Sequence, residues 1–319
     1  MTVKAWSKTG VKPSTTVSDD GVSVLVAGMQ WFPEMDSISI RVPPLHFGKR
    51  RRGKLDKNTE FFHLVGDSED FDRLEKFCPV LTQRICTSIA ASIFDLMGLL
   101  APVLAGVKLL MSETVKATDD WDEEIPENLR SKWLTAFLRI ESLKNIQFHR
   151  PVMPSNAVSM NLRLIGLSDA AKPIIMVGVW GGFELPDGSF SCRLIIGRSI
   201  LSSDTTIPKL ELDGACSVAN LGWMVKNALK GWDVSYIQAA DSTIALSWIT
   251  SEQLRLSEFH RNRVVQIRRA VEIESIYHVR TELNVADCGT RPDKVKVEDV
   301  MAGSRSVGMP QATKLSSNL

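Results

Sequence analysis

Apolar and polar positions change period several times along the chain, and each change marks an element. In NLRLIGLSDAA, Ile165, Leu167 and Asp169 share one face if the segment is a strand, because strand side chains alternate. The segment TIPKLELDGACSVANLGWMVKNALKG repeats at three and four instead. Ala215, Val218, Gly222, Val225 and Leu229 follow Glu211 as a helical stripe that faces a core. VSYIQAAD returns to alternation, with Asp241 on the face of Ile237 and Ala239, and STIALSWI then takes up helical spacing. MVGVWGGF and CRLIIGRSIL flank LPDGSF, which predicts a hairpin. In LNVADCGTRP, Asn284 is placed to cap a short helix with Asp287 in its first turn, where the helix dipole favours a carboxylate. The order is strand, hairpin, helix, strand, helices, strand, short helix, which predicts an α/β domain.

Elsewhere the pattern is mainly helical or polar. DDWDEEIPENLR places acidic residues before Pro126 and continues with helical spacing through Trp133 and Phe137, which predicts a helix entry and not a metal site. The N-terminal 1–22 and the tail 301–319 are polar and rich in turn formers, so both are expected to be poorly ordered. Two prolines interrupt the periodicity in HRPVMPSNAV, at 149–158, and mark a boundary between an upstream region 23–150 and a domain over 159–292. The run from Ser88 to Met111 is apolar but is divided by Asp95, Pro102 and Lys108, too short an uncharged stretch to span a bilayer.

Composition narrows the classes. At 319 residues and 44% hydrophobic, the chain can bury one large core or two ordinary ones, and the boundary above favours two. The net charge of +1 exerts no global pull on nucleic acid, so attraction must come from local patches. One is KRRRGKLDK, Lys49 to Lys57, with six basic residues, which reads as a solvated loop or a nuclear-localisation-like run. The other carries Arg255, Arg261, Arg263, Arg268 and Arg269 with His260, on a predicted helix near the strand that holds Asp241. It is a candidate clamp for nucleic-acid phosphates, or simply a charged helix face. Five cysteines without a CxxC pair argue against zinc and a disulfide framework. No secretory or lipidation signal is expected, which points to an intracellular protein without separating cytoplasm from nucleus.

The candidate chemistry lies in four carboxylates, Asp169, Glu211, Asp241 and Asp287. Any one of them reads equally as a turn former, a helix cap or a solvated first-turn residue. Taken together, they are placed to converge at one end of a sheet. Crowded carboxylates repel and call for cations, and hard oxygen ligands select Mg²⁺ or Mn²⁺. Two such ions suit in-line phosphodiester hydrolysis, for which no protein nucleophile is required.

From about Leu162 to Arg291 the chain resembles the RNase H domain of Bel/Pao-type LTR retrotransposon polyproteins, on TIPKLEL around Glu211, ADSTIALSWI around Asp241 and HVRTELNVADCGTR around Asp287. Upstream, VLVAGMQWFPEMDSISIRV, with Gly28, Trp31, Pro33 and Asp36, resembles the family's hairpin, and LTQRICTSIAASIFDLMGLLAPVLAGVKLL the helical segment after it. The resemblance implies an RNase H-like mixed five-stranded sheet with flanking helices, preceded by a mainly helical region with a β-hairpin like a reverse transcriptase thumb or connection. It also implies that Asp169, Glu211, Asp241 and Asp287 bind two Mg²⁺ or Mn²⁺ ions. The activity would be cleavage of RNA in an RNA:DNA hybrid, leaving 5′-phosphate and 3′-hydroxyl ends, with the rest of a retrotransposon polyprotein as a natural partner. His278 would serve proton transfer or product release, and Ser242 and Asn284 are candidates for contacts to 2′-hydroxyls, which distinguish RNA from DNA.

Departures from the pattern set limits. No Tyr-x-Asp-Asp pair is present, and Asp19-Asp20 and Asp119-Asp120 stand in polar surroundings, so polymerase activity is not expected. Where the family has a small residue at the start of the second strand, this chain has Met176. The family has also been labelled an aspartic peptidase, yet no Asp-Thr-Gly or Asp-Ser-Gly triplet occurs. The near misses are Asp213-Gly214, inside a predicted helix, and Asp241-Ser242-Thr243. The competing class is a retroelement remnant that keeps the fold as a nucleic-acid-binding or assembly module without turnover.

Overall fold

Two compact units make up the computed structural model, Met1–Leu96 with Gly106–Arg150 and Met97–Ala105 with Pro151–Leu319. The residues described are 23–26, 28–47, 60–78, 80–203, 206–251, 255–291 and 313–314. The N-terminal 1–22, the basic run Lys49 to Lys57 and all but two residues of the tail 301–319 lie outside them.

The first unit opens with short antiparallel strands β1 (Val24–Val26), β2 (Met29–Phe32) and β3 (Ser37–Ile40). Gly28, at φ +81°, turns β1 into β2, and Asp36, at φ 45°, turns β2 into β3. The Asp36 carboxylate closes that turn by accepting from Trp31 Nε1 at 3.2 Å and from Arg150 Nη2 at 2.8 Å. Four helices follow, α1 (Asp70–Phe77), α2 (Gln83–Ala91), α3 (Ala101–Ala117) and α4 (Glu127–Ser142), and then β4 (Phe148–His149), which pairs with β3. The division between the units falls inside α3, after Ala105. Thr82 caps α2 by accepting from Ile85 N. As the sequence predicts, α4 starts just after Pro126, and it buries Trp133, Leu134, Phe137 and Ile140. The Trp133 indole N–H donates to Thr114 Oγ1 at 2.8 Å, so the buried ring keeps its polar atom satisfied.

The second unit holds β5 (Leu162–Ala171), β6 (Ile174–Glu184), β7 (Phe190–Leu201), α5 (Ile207–Ala228), β8 (Val234–Ala240), α6 (Thr243–Thr250), α7 (Glu258–Ala270), β9 (Ile276–His278), α8 (Asp287–Thr290) and the two-residue β10 (Thr313–Lys314). The sheet order is β10-β9-β8-β5-β6-β7. Strands β5, β6 and β7 form an antiparallel meander, while β8 lies parallel to β5 and β9 parallel to β8. This is the expected mixed five-stranded sheet with flanking helices, and β10 adds two residues to its outer edge. The predicted hairpin between β6 and β7 closes through Gly188, at φ 78°, whose N–H donates to Leu185 O at 2.9 Å.

Both faces of the sheet are covered. On one, Leu162, Leu164, Ile175, Val177 and Val179 pack under the stripe of α5, where Ala215, Val218 and Ala219 are fully buried. On the other, Ile165, Leu167, Met176, Trp180 and Ala239 pack with Ala286, beside α8. Strand β5 is therefore central and apolar on both sides, as parallel pairing inside a sheet demands. Asp169 lies inside β5, which continues to Ala171. One local expectation is corrected. Asn284 does not cap α8: the N-cap is Ala286, with no side-chain cap. Asn284 instead holds the turn before it, its Oδ1 accepting from Ala286 N and its carbonyl from Asp287 N. Among the described residues, no helix is long and apolar enough to cross a membrane.

Candidate functional site

Strand register explains how two of the acidic residues meet. Leu167 on β5 pairs with Ala239 on the parallel neighbour β8. Two residues further along each chain come Asp169 and Asp241, which therefore leave adjacent strands side by side on the face of Ile165, Leu167 and Ala239. Glu211 arrives from α5, on the opposite face, and Asp287 from α8. Electrostatics tie the four together. Burial pushes the Asp169 carboxyl above the usual carboxylate range; a hydrogen bond from Thr290 opposes the shift, and the charges of Asp241 and Asp287 add to it. Burial likewise raises Glu211, against a hydrogen bond from Ser242 and with the charges of Asp241 and Asp169 behind it.

Each of three carboxylates is engaged by a neighbour within the chain. Thr290 Oγ1 donates to Asp169 Oδ2, and Ser242 Oγ donates to Glu211 Oε2. Arg291 Nη2 stands 2.9 Å from Asp287 Oδ1. Ser242 is also the N-cap of α6, accepting from Ala245 N at 3.2 Å, so the turn after Asp241 and the orientation of Glu211 depend on one hydroxyl. Among the described residues, no group of three or more His, Cys, Asp or Glu is arranged to hold a metal ion. The donor chemistry suits a hard divalent cation, because all four candidates are carboxylates and the neighbouring charges felt by Asp169 and Glu211 are ones a cation would offset. Their spacing, with Thr290, Ser242 and Arg291 in contact, does not yet bring three to one point.

The auxiliary candidates fall in different places. Asn284, 3% exposed, donates from Nδ2 to Ser168 O at 3.0 Å, beside Asp169. His278 on β9 registers with Ala240 on β8, so alternation puts it on the face opposite that of Ala239 and Asp241. The basic residues are divided as well. Helix α7 packs over α5 and α6. There Arg263 donates to Asp213 Oδ1 at 2.7 Å and covers the Phe259 ring at 3.9 Å, while Arg268 donates to the carbonyls of Ile249 and Ser251. Arg255, Arg261 and Arg269 are exposed. Asp213-Gly214 lies inside α5 and not on the tight turn a peptidase triplet requires, and the five cysteines are free thiols.

Sequence reasoning missed Thr290 and the fit beneath it. Met176 pairs with Asp169 across β5 and β6, and Gly289 lies against it so closely that a Cβ there would be 2.4 Å from Met176 Cγ. A hydroxyl three residues after Asp287, on its own helical turn, was the available signal.

A model of the Pao retrotransposon-like RNaseH-like domain matches residues 82–242, just over half of the chain. The chain belongs to that family. The matched stretch contains Asp169, Glu211 and Asp241 and ends before Asp287. Among solved structures, this Pao-type chain is similar to RNase H1 from the halophilic archaeon Halobacterium salinarum NRC-1, at 15% identity, covering 40% of this chain and 90% of that one, with a TM-score of 0.24. It is also similar to the N-terminal RNase H domain of a Mycobacterium tuberculosis protein, at 12% identity over 46% and 96% of the two chains with a TM-score of 0.28. A third likeness is Thermus thermophilus RuvC, at 12% over 46% and 84% with a TM-score of 0.25. No curated protein matches the chain. By its family, the domain is RNase H-like.

Proposed function

We propose that this Pao-type chain is a ribonuclease H that cleaves the RNA strand of RNA:DNA hybrids with Mg²⁺ or Mn²⁺, through Asp169, Glu211, Asp241 and Asp287. The observation that carries the reading is the register that sets Asp169 of β5 beside Asp241 at the end of β8, with Glu211 of α5 tied to Ser242 next to Asp241 and α8, which bears Asp287, tied to Asp169 through Thr290. Asp169 and Glu211 are raised by burial and by the charges of neighbouring carboxylates, so bringing these groups together costs stability that a bound cation would offset. Two divalent ions, when bound, would lower the pKa of the attacking water and stabilise the leaving oxygen. The residues of the chain would do the rest. Asp169, Glu211 and Asp241 would hold both ions and Asp287 would complete the second position, once Ser242 and Arg291 yield their contacts. Arg255, Arg261 and Arg269, exposed on or next to α7, would meet the phosphate backbone. The setting is intracellular, with the remainder of a retrotransposon polyprotein as partner and the first unit as its thumb or connection.

The test is cleavage of an end-labelled hybrid by the purified chain in Mg²⁺ or Mn²⁺, beside Asp241→Asn and a DNA duplex. Loss of RNA cleavage in the variant, with the duplex untouched, supports the nuclease. A second reading, a binding or assembly module without turnover, draws on the engagement of Asp169, Glu211 and Asp287 by Thr290, Ser242 and Arg291. Folded chain that binds hybrid yet cleaves with neither ion would establish that alternative.

A further inference from the structure

Helix α8 has four residues, too few to persist by itself, since isolated helices below about 12 residues are marginal in water. Its position, and with it that of Asp287, is set by what it touches. Asn284 ties the preceding turn to β5 through Ser168 O at 3.0 Å and supports Asp287 N at 3.0 Å. Ala286 is fully buried, and Gly289 sits on Met176, the β6 partner of Asp169. Thr290, only 7% exposed, then places its hydroxyl between the Asp169 carboxylate and the Asp287 carbonyl, the latter 3.0 Å away. Water has little access to replace it. The neighbouring Arg291 pair differs, with the Arg291 side chain 54% exposed, so it holds Asp287 only loosely.

We infer that Thr290 is a positioning residue: its hydroxyl locks α8 to the Asp169 carboxylate and sets the separation of Asp169 and Asp287. This rests on the nuclease reading, because the separation matters only if both carboxylates serve one centre. One oxygen of Asp169 takes the Thr290 bond, and the other is left directed by it. Hydrogen bonds of this kind around a metal ligand commonly alter affinity by about 10–100-fold.

The experiment uses the full chain and Mn²⁺ alone as probe. Binding is followed by electron paramagnetic resonance, and hybrid cleavage is measured as a function of Mn²⁺ concentration. Thr290→Val keeps the shape and removes the donor, and Thr290→Ser keeps the donor. The expected result is Mn²⁺ binding weakened about 10–100-fold in Thr290→Val, with half-saturation of cleavage moved to higher Mn²⁺ by the same factor, and restoration in Thr290→Ser. A merely structural threonine would lower the melting temperature and leave the Mn²⁺ affinity of the folded protein unchanged. Thr290→Ala takes the place of the valine variant if valine does not fold, and failure of both to fold would make the hydroxyl a requirement of the fold and overturn the inference. Wild-type affinity in Thr290→Val overturns it too while leaving the nuclease reading intact. Wild-type chain without carboxylate-dependent Mn²⁺ binding overturns both.

Discussion

Gly222→Ala in α5 sets two physical effects against each other. Alanine is a better helix former than glycine by about 1 kcal/mol, so propensity alone predicts stabilisation. Packing predicts the reverse. A Cβ at Gly222 would stand 2.1 Å from Tyr236 Cζ and 2.4 Å from its hydroxyl oxygen. The ring cannot retreat, because a Cβ at Gly166 on β5 would meet the same hydroxyl at 2.3 Å, so the Tyr236 hydroxyl is seated between two backbones. Overpacking of this kind costs about 1–3 kcal/mol. Displacing the hydroxyl from Val218 O, now 3.0 Å away, adds about 1 kcal/mol. After the propensity gain the net is a loss of roughly 1–3 kcal/mol, or about 2–4 °C in melting temperature for each kcal/mol. The assay is thermal unfolding of Gly222→Ala, Tyr236→Leu and the double variant. In the Tyr236→Leu background the alanine should become neutral or stabilising, because the obstruction is gone. A rise in melting temperature for the single variant, or a cost that persists unchanged once the tyrosine ring has been removed, would refute the packing argument.

Three further outcomes bear on the site and its basic helix. The Asp169 carboxyl is raised by burial, so its contribution to stability is fully present below the ordinary carboxylate range and is lost as pH rises through the raised value. Asp169→Asn should flatten the fall in stability across that acid window and relieve Glu211 as well; unfolding measured in urea at a series of pH values checks this, and an unaltered pH profile contradicts it. Arg261→Ala should reduce the salt dependence of hybrid binding by about one phosphate contact, read as the slope of log affinity on log salt. Arg263→Ala should instead cost about 1–2 kcal/mol of stability through its Asp213 and Phe259 contacts, with the salt slope unchanged.

Much of the second unit was legible because its periods are strong. Alternation in β5 and β8 and the stripe of α5 from Ala215 to Val225 follow from where a side chain must point, which is local information. The same rule put Asp169 and Asp241 on definite faces. Met176 shows where such reasoning stops, since a methionine in place of a small residue acquires its meaning only from Gly289, far along the chain and pressed against it. Arg263 and Arg268 resemble Arg261 and Arg269 in sequence, yet the first two are half-buried on Asp213 and on the carbonyls of Ile249 and Ser251, while Arg261, which reaches Leu256 O at 3.5 Å, and Arg269 are exposed. Asn284 was expected to cap the last helix; nothing local in the sequence indicated that it would instead hold the turn before it and reach Ser168 on a strand 116 residues away. Local sequence sufficed for β5, β8, α5 and their buried faces, because periodicity and turn chemistry act over a few neighbouring positions, and it offered the four carboxylates as candidates. Tertiary structure alone decided that β8 lies beside β5 in the register that sets Asp241 next to Asp169, and that Thr290 closes on Asp169, because strand pairing and helix docking are chosen by the packing of the whole core.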